Sequence, residues 1–155
     1  MSGIIGGAGS KSGVIGQTEG GTELGTWTPA YSDSGSMTWT YNSRNGYYTR
    51  VGKLLYLNFW FDTSVASGSA GTSLVITGLP FPVKNSTNYF GGGSVAYAYN
   101  FDYDGALTVG LRPDGGTTQM YVIKNTNDAV GGAFTGAAVD KANCRMIASG
   151  WYNLD

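Results

Sequence analysis

The amino-acid sequence predicts an all-β fold. From Leu55 to Asp62, apolar residues at odd positions alternate with Tyr, Asn, Trp and Asp at even positions, which is the period of a strand with one buried face. The chain contains 26 glycines and 14% aromatic residues, and it has few long runs of the residues that favour helices. Residues 45–46 (NG) and 51–53 (VGK) each predict a tight turn beside this segment. We therefore expect short strands arranged around residues 55–62.

The length of the chain predicts a single domain. A chain of 155 residues buries about 70% of its unfolded surface, which is enough for a hydrophobic core. The first 25 residues differ in composition from the remainder, because they are rich in glycine and show no regular period. We divide the chain into a Gly-rich N-terminal arm, residues 1–25, and a β-domain, residues 26–155.

Charge and hydropathy exclude several classes of partner. Only 12% of the residues are charged and the formal net charge is −1, so nothing predicts attraction to nucleic acid or to an anionic membrane. The sequence shows neither a charged leader with an apolar stretch nor an apolar run long enough to cross a bilayer. We expect no export by the usual route, no membrane insertion and no nucleic-acid partner.

The residue types also limit the chemistry. Histidine is absent, which excludes a Ser-His-Asp triad, an imidazole base and a His-ligated metal. The one cysteine, Cys144, excludes an intramolecular disulfide and a Cys-rich zinc site, and we expect it to be buried near the last strand. We expect no catalytic residues, no metal site and no cofactor, and we predict that the protein is not an enzyme.

The arm contains a repeat. Residues 2–6 (SGIIG) recur ten positions later as residues 12–16 (SGVIG), so two β-branched pairs stand between glycines. The functional interpretation is an anchor whose apolar pairs insert into slots on a neighbouring protein, because glycine lets one backbone approach another. The alternative is the disordered tail that most Gly-rich termini form. The predicted anchoring residues are Ile4, Ile5, Val14 and Ile15.

The remaining elements follow from local patterns. Prolines in residues 80–83 are expected to end the strand before them, and a Pro-Asp-Gly-Gly turn is expected to join two strands into a hairpin. The predicted segments are a strand over 37–41, a loop over 64–72, a buried strand over 73–79, strands over 94–104, 106–111 and 118–124, a helical turn near residue 137, and a closing strand over 143–152.

Residues 94–104 show a long alternation in which Val95, Tyr97, Tyr99, Phe101 and Tyr103 share one face. An aromatic ladder of this kind is compatible with carbohydrate stacking, whereas a core or subunit interface is the plainer interpretation and is given more weight. The residues predicted to form an oligomer interface or to stack on glycans are Tyr56, Trp60, Tyr97 and Tyr99.

Two acidic residues in this region admit other interpretations. Residues 100–105 (NFDYDG) resemble the start of a calcium-binding loop, but the twelfth position is Leu111 instead of a bidentate Glu, and strands flank it. Asp102 and Asp104 have a spacing compatible with the carboxylate pair of a glycosidase. An acidic residue before glycine at the end of a strand is also the ordinary composition of a turn, which we prefer.

Four motifs resemble the β-rich C-terminal modules of tailed-bacteriophage fibre and head-decoration proteins. They are residues 25–29 (GTWTP), 46–56 (GYYTRVGKLLY), 78–81 (GLPF) and 149–152 (SGWY). The Gly-rich arm is similar to the starts of structural proteins of marine phages. The resemblance implies a jelly-roll-like antiparallel β-sandwich, a homotrimer, and a role in virion architecture or host attachment.

Since the module follows an arm of only 25 residues and no shaft, we expect a virion structural protein of the phage particle: a capsid decoration or cement protein, or a short head fibre. Its arm is expected to contact the capsid or other virion proteins. The alternative is a tail-fibre receptor-binding module that recognises host surface glycans.

Overall fold

The computed structural model describes residues 21–86, 91–103, 105–106, 108–125, 132–139 and 143–155. In these parts of the chain the regular structure is almost entirely strand, and all strand pairs are antiparallel. The strands are β1 (Thr22–Trp27), β2 (Ala30–Asp33), β3 (Thr38–Val51), β4 (Leu54–Ser67), β5 (Leu74–Thr77), β6 (Gly91–Tyr99), β7 (Thr108–Pro113), β8 (Gln119–Asn125), β9 (Gly132–Ala133) and β10 (Arg145–Asn153). The all-β prediction is confirmed.

The ten described strands form one sheet in the order β1-β3-β4-β10-β6-β7-β8-β5-β2, with β9 paired to β8. Strands β1 and β2 follow each other along the chain, separated only by residues 28–29, yet they lie at opposite ends of this order. The sheet must therefore curl until its two edges approach, as in half a barrel. The jelly-roll sandwich that the resemblance implied is not confirmed, because the described strands belong to a single curled sheet.

The core lies on the concave side of the sheet and is centred on β4. Its odd-numbered residues Leu55, Leu57, Phe59 and Phe61 are at most 3% exposed, as the alternation predicted. The two edge strands, β1 and β2, contact β4 through aromatic side chains. Trp27 of β1 packs edge-on against Phe59 with ring centroids 5.4 Å apart, and Tyr31 of β2 stacks on Phe61 at 4.5 Å.

The β3–β4 hairpin corrects one of the two predicted turns. Gly52 has φ 59° and lies between Val51 and Leu54, so the turn predicted at residues 51–53 is confirmed. The turn predicted at residues 45–46 is wrong, because β3 continues through it and Gly46 pairs with both Trp27 and Phe59. A Cβ at Gly46 would overlap the Trp27 indole ring. The glycine thus serves a close approach of a ring to the backbone instead of a turn.

The last strand closes the sheet as predicted. Strand β10 lies between β4 and β6, and Cys144, just before it, is fully buried. The Thr63 hydroxyl donates to the Cys144 carbonyl and accepts from its amide, both at 3.1 Å, which satisfies these buried polar groups. The Tyr152 hydroxyl donates to the Phe81 carbonyl at 2.9 Å, and burial raises the pKa of Tyr152 well above its ordinary value.

Several boundaries differ from the predictions. Strand β4 continues to Ser67, where a loop was predicted from residue 64. Strand β6 ends at Tyr99 instead of residue 104, because Asn100 has φ 52° and leaves the extended conformation. The β7–β8 hairpin is confirmed, and the helical turn near residue 137 is a 3-10 turn over Gly136–Val139.

The N-terminal boundary is defined only in part. Residues 22–25, which the sequence division placed in the arm, lie in β1. The start of β1 pairs with Val51 beside the Gly52 turn, and Asn153 pairs with Leu54 on the other side of that turn. The predicted anchoring residues lie outside the described residues; they are Ile4, Ile5, Val14 and Ile15.

We predict that Gly46→Ala lowers the free energy of unfolding by about 1–3 kcal/mol, because its methyl group must displace the Trp27 indole from the core. Thermal and urea unfolding of the purified protein measure this. The matched control is Gly132→Ala, also in a strand but with no described atom within 4 Å of the added methyl group, which is expected to change stability by less than about 0.5 kcal/mol. Equal stability of the two variants would contradict the proposed role of Gly46.

Candidate functional site

The convex side of the sheet carries an unusual number of exposed apolar side chains. Even-numbered residues of β4, odd-numbered residues of β10 and odd-numbered residues of β3 from Asn45 onward point to this side, because their partners across the sheet or their neighbours are buried in the core. We call this surface of β3, β4, β10 and β6 the aromatic face. Its large apolar side chains with 43–57% exposure are Tyr47, Val51, Tyr56, Tyr97, Tyr99, Ile147 and Trp151.

The four residues predicted as an interface or glycan platform all lie on the aromatic face. Tyr56 pairs with Trp151 of β10, Trp60 pairs with Ile147, and Ile147 pairs in turn with Tyr97 of β6. Tyr99 lies one row further, opposite Arg145. Whether they serve an interface or a glycan stays a prediction.

Trp60 is half-buried, unlike its neighbours on this face. Its indole N–H lies 3.1 Å from the Asn45 side chain, whose amide oxygen, once turned toward the indole, accepts the hydrogen bond. Asn45 also pairs with Trp60 across β3 and β4. The Trp60 side chain is therefore held by a hydrogen bond to its cross-strand neighbour.

Sequence reasoning missed Tyr47 and Trp151. Tyr47 was hidden because residues 45–46 were assigned to a turn, although residues 47, 49 and 51 continue the alternation of β3. Trp151 could have been found, since Arg145, Ile147, Ser149 and Trp151 alternate with buried residues in the predicted closing strand.

The long alternation of residues 94–104 does not lie on one face. The register of β6 against β10 shifts by one residue at Ala96, a β-bulge between the partners of Ile147 and Ala148. Val95 therefore packs against the core while Tyr97 and Tyr99 point outward, and Phe101 beyond Asn100 is buried. The predicted single ladder is wrong for Val95 and Phe101.

The exposed rings have no aromatic partner in the part of the chain that the structure describes. In the core, by contrast, rings pair repeatedly, as in the contact of Phe59 with Phe61 at 5.4 Å. The exposed rings of the aromatic face make no ring–ring contact with another described residue. These rings include Tyr47, Tyr56, Tyr97 and Trp151. Their ring faces are therefore free to contact a ligand.

A groove of about 460 Å³ crosses the centre of the aromatic face. Tyr47, Tyr56 and Trp151 flank it. Across its floor, Asn58, Ser149 and Ser94 lie side by side on β4, β10 and β6. Within the described part of the chain these three side chains make no hydrogen bond, so their donors and acceptors are open to a ligand.

None of the described residues that line the groove carries a charge. Arg145 and Asp62, which lie on the same side of the sheet, form an ion pair with a 3.4 Å distance between Nε and Oδ1. Tyr48 also lines the groove; its hydroxyl donates to Glu23 at 2.8 Å, and this hydrogen bond raises the pKa of Tyr48. The arrangement suits a neutral, polyhydroxylated ligand better than an ion.

The structure describes only one of the two acidic residues considered as a carboxylate pair. Asp102 is exposed and its amide donates to the Ala138 carbonyl at 2.9 Å, whereas Asp104 lies outside the described residues. Among the residues that the structure describes, no three of His, Cys, Asp and Glu are grouped as a metal site. No described helix has the length and apolar character needed to span a membrane.

Comparison with known proteins gives a structural likeness. No protein-family model matches the chain, and no curated protein matches it. Among solved structures, the chain is similar to the Dettilon tailspike protein (gp208), with a TM-score of 0.70 and 17% sequence identity. The similarity covers 86% of this chain and 24% of the tailspike chain, so this chain spans about a quarter of that protein. At this identity the likeness shows only that this chain has the fold of the matched part of the tailspike chain.

Proposed function

We propose that this protein is a component of a phage virion and that its β-domain binds glycans of the host surface through the aromatic face. The observation that carries the proposal is the groove in which free ring faces flank a row of unpaired polar side chains. This is the tail-fibre-like alternative of the sequence analysis, and the geometry favours it over capsid decoration.

The chemistry of the groove supports a sugar ligand. A pyranose ring presents C–H groups on its faces and hydroxyl groups around its rim, so it needs an apolar platform beside hydrogen-bonding groups. Tyr56 and Trp151 are direct cross-strand neighbours and supply the platform. Asn58 and Ser149 lie in the next row along the same two strands, about 7 Å away, and supply the hydrogen-bonding groups.

The likeness to a tailspike protein supports the virion assignment. It agrees with the resemblance of the four sequence motifs to phage fibre and head-decoration modules. Because the likeness extends over only 24% of the tailspike chain, we propose the attachment role for this β-domain and carry over no other activity. Enzymatic activity is not part of the proposal.

Capsid decoration is the second candidate, and the repeat in the arm favours it. Two β-branched pairs separated by ten residues are a pattern expected of an anchor. If each pair is buried in a slot on the capsid, the two pairs together contribute a few kcal/mol, and several arms of an oligomer would add avidity. The two roles are compatible, because a protein anchored by its arm can bind glycans through its β-domain.

A trimer is the proposed assembly, and contact between copies is the competing use of the aromatic face. Trp60, Ile147 and Tyr97 form one row across β4, β10 and β6, next to the groove but outside it. This row offers apolar area for a neighbouring copy while the groove stays open.

Glycan binding is expected to depend on the two platform residues. Trp151→Ala and Tyr56→Ala should each weaken binding at least tenfold, about 1.4 kcal/mol, because they remove the apolar surface under the sugar ring. Glycan-array binding followed by calorimetry of the best glycan measures the loss. The control is Tyr103→Ala, an exposed tyrosine that does not line the groove and should leave the affinity unchanged. Binding that survives both platform substitutions would exclude the groove as the site.

The arm is expected to tether the protein to the virion. Particles that carry a variant lacking residues 2–16 should lose it during purification, because both β-branched pairs are removed. Gel electrophoresis of purified particles measures the retained protein. Replacing the four apolar residues by Ser is the matched control of equal length and should give the same loss. Full retention of either variant would refute the tether.

The assembly is testable in solution. Sedimentation equilibrium is expected to give the mass of a trimer, and Tyr97→Glu should dissociate it, because a charge then replaces an apolar contact. Tyr103→Glu is the control, since Tyr103 lies outside the row of Trp60, Ile147 and Tyr97. A wild-type protein that remains monomeric at micromolar concentration would refute the trimer and leave the glycan proposal standing.

A further inference from the structure

We propose that the groove of the aromatic face selects uncharged glycans and rejects anionic ones such as sialylated, uronic-acid or sulfated sugars. The inference rests on the proposed glycan-binding function and specifies its ligand class. It follows from three features of the groove: the absence of charge among its described lining residues, the donor and acceptor chemistry of its floor, and its layout across the strands.

The absence of charge among the described lining residues is the first feature. A carboxylate or sulfate that enters a groove without a cation loses hydration and gains no ion pair, which costs free energy. The cation on β10, Arg145, lies four residues from Ser149, about 13 Å along the strand. Its guanidinium is already paired with Asp62, which reduces its attraction for a second anion.

The donor and acceptor chemistry of the floor is the second feature. The hydroxyls of Ser94 and Ser149 and the amide of Asn58 each donate and accept hydrogen bonds. Sugar hydroxyls and acetamido groups do the same, so each can be matched in either direction. An anionic group only accepts, so it matches the donors of the floor and not its acceptors.

The layout is the third feature. The polar row crosses three neighbouring strands, which spans about 10 Å, and Tyr56 and Trp151 lie beside it on two of them, β4 and β10. Over β4 and β10, a ligand that lies along these rows contacts rings on one side and polar groups on the other; over β6 it contacts Ser94 beside Gly92. An extended neutral oligosaccharide has this two-sided character, whereas a single charged group would occupy only one point of it.

The test uses the full-length protein and an array of neutral glycans (hexose and N-acetylhexosamine oligosaccharides) and anionic glycans (sialylated, uronic-acid and sulfated). Binding is expected only to neutral members. The affinity, measured by calorimetry, is expected to change less than twofold between 50 and 500 mM NaCl, because neutral ligands are not screened. Ser149→Lys should add anionic glycans to the bound set, and Thr40→Lys, an exposed position of β3 that does not line the groove, should not.

The outcomes separate this inference from the function on which it rests. If wild-type protein binds anionic glycans with salt-sensitive affinity, and Trp151→Ala abolishes that binding, the selectivity is refuted while glycan binding stands. If no glycan of either class binds, both proposals are refuted. Neutral-only binding that is insensitive to salt and lost in Trp151→Ala supports both.

Discussion

The contact between strand β4 and the two edge strands of the curled sheet, β1 and β2, determines the rest of the structure. Phe59 and Phe61 of β4 pack against Trp27 of β1 and Tyr31 of β2, strands at opposite ends of the sheet order. Burying an aromatic side chain contributes roughly 1.5–3 kcal/mol, and each ring pair adds about 0.5–1.5 kcal/mol. These contacts hold the sheet curved around its core and thereby fix which side of each strand faces solvent.

Core and site are coupled because the side chains of a strand alternate. Leu57 and Phe59 are buried since they point inward, so their neighbours Tyr56, Asn58 and Trp60 must point outward. A register shift of one residue would bury the polar row and expose the core, so the packing of the core also protects the layout of the groove. The bulge at Ala96 is the exception that makes this layout possible on β6, since it moves Tyr97 to the outer side while Val95 stays inside.

Local pattern predicted much of the fold, and contacts between distant residues account for what it missed. The alternation of β4, the Gly52 turn and the closing strand are visible in a few adjacent residues. Gly46 imitates a turn residue, and only the Trp27 ring, nineteen positions earlier, explains it. The bulge depends on pairing with β10, about fifty residues later, so no local period reveals it. Tyr56 and Tyr97 were predicted as site residues from the alternation of residues along their strands. Their neighbour Trp151 joins them only through the pairing of strands in the sheet.

The pairing around the Gly52 turn also determines where the domain connects to other polypeptide. Thr22 pairs with Val51, Val51 with Leu54, and Leu54 with Asn153. The start of β1 and the end of β10 therefore lie at the same end of the sheet, three strand spacings or about 14 Å apart. A short linker could bridge that distance. The domain is thus suited to circular permutation, and to insertion as a cassette into a surface loop of an unrelated carrier, with its convex side still accessible.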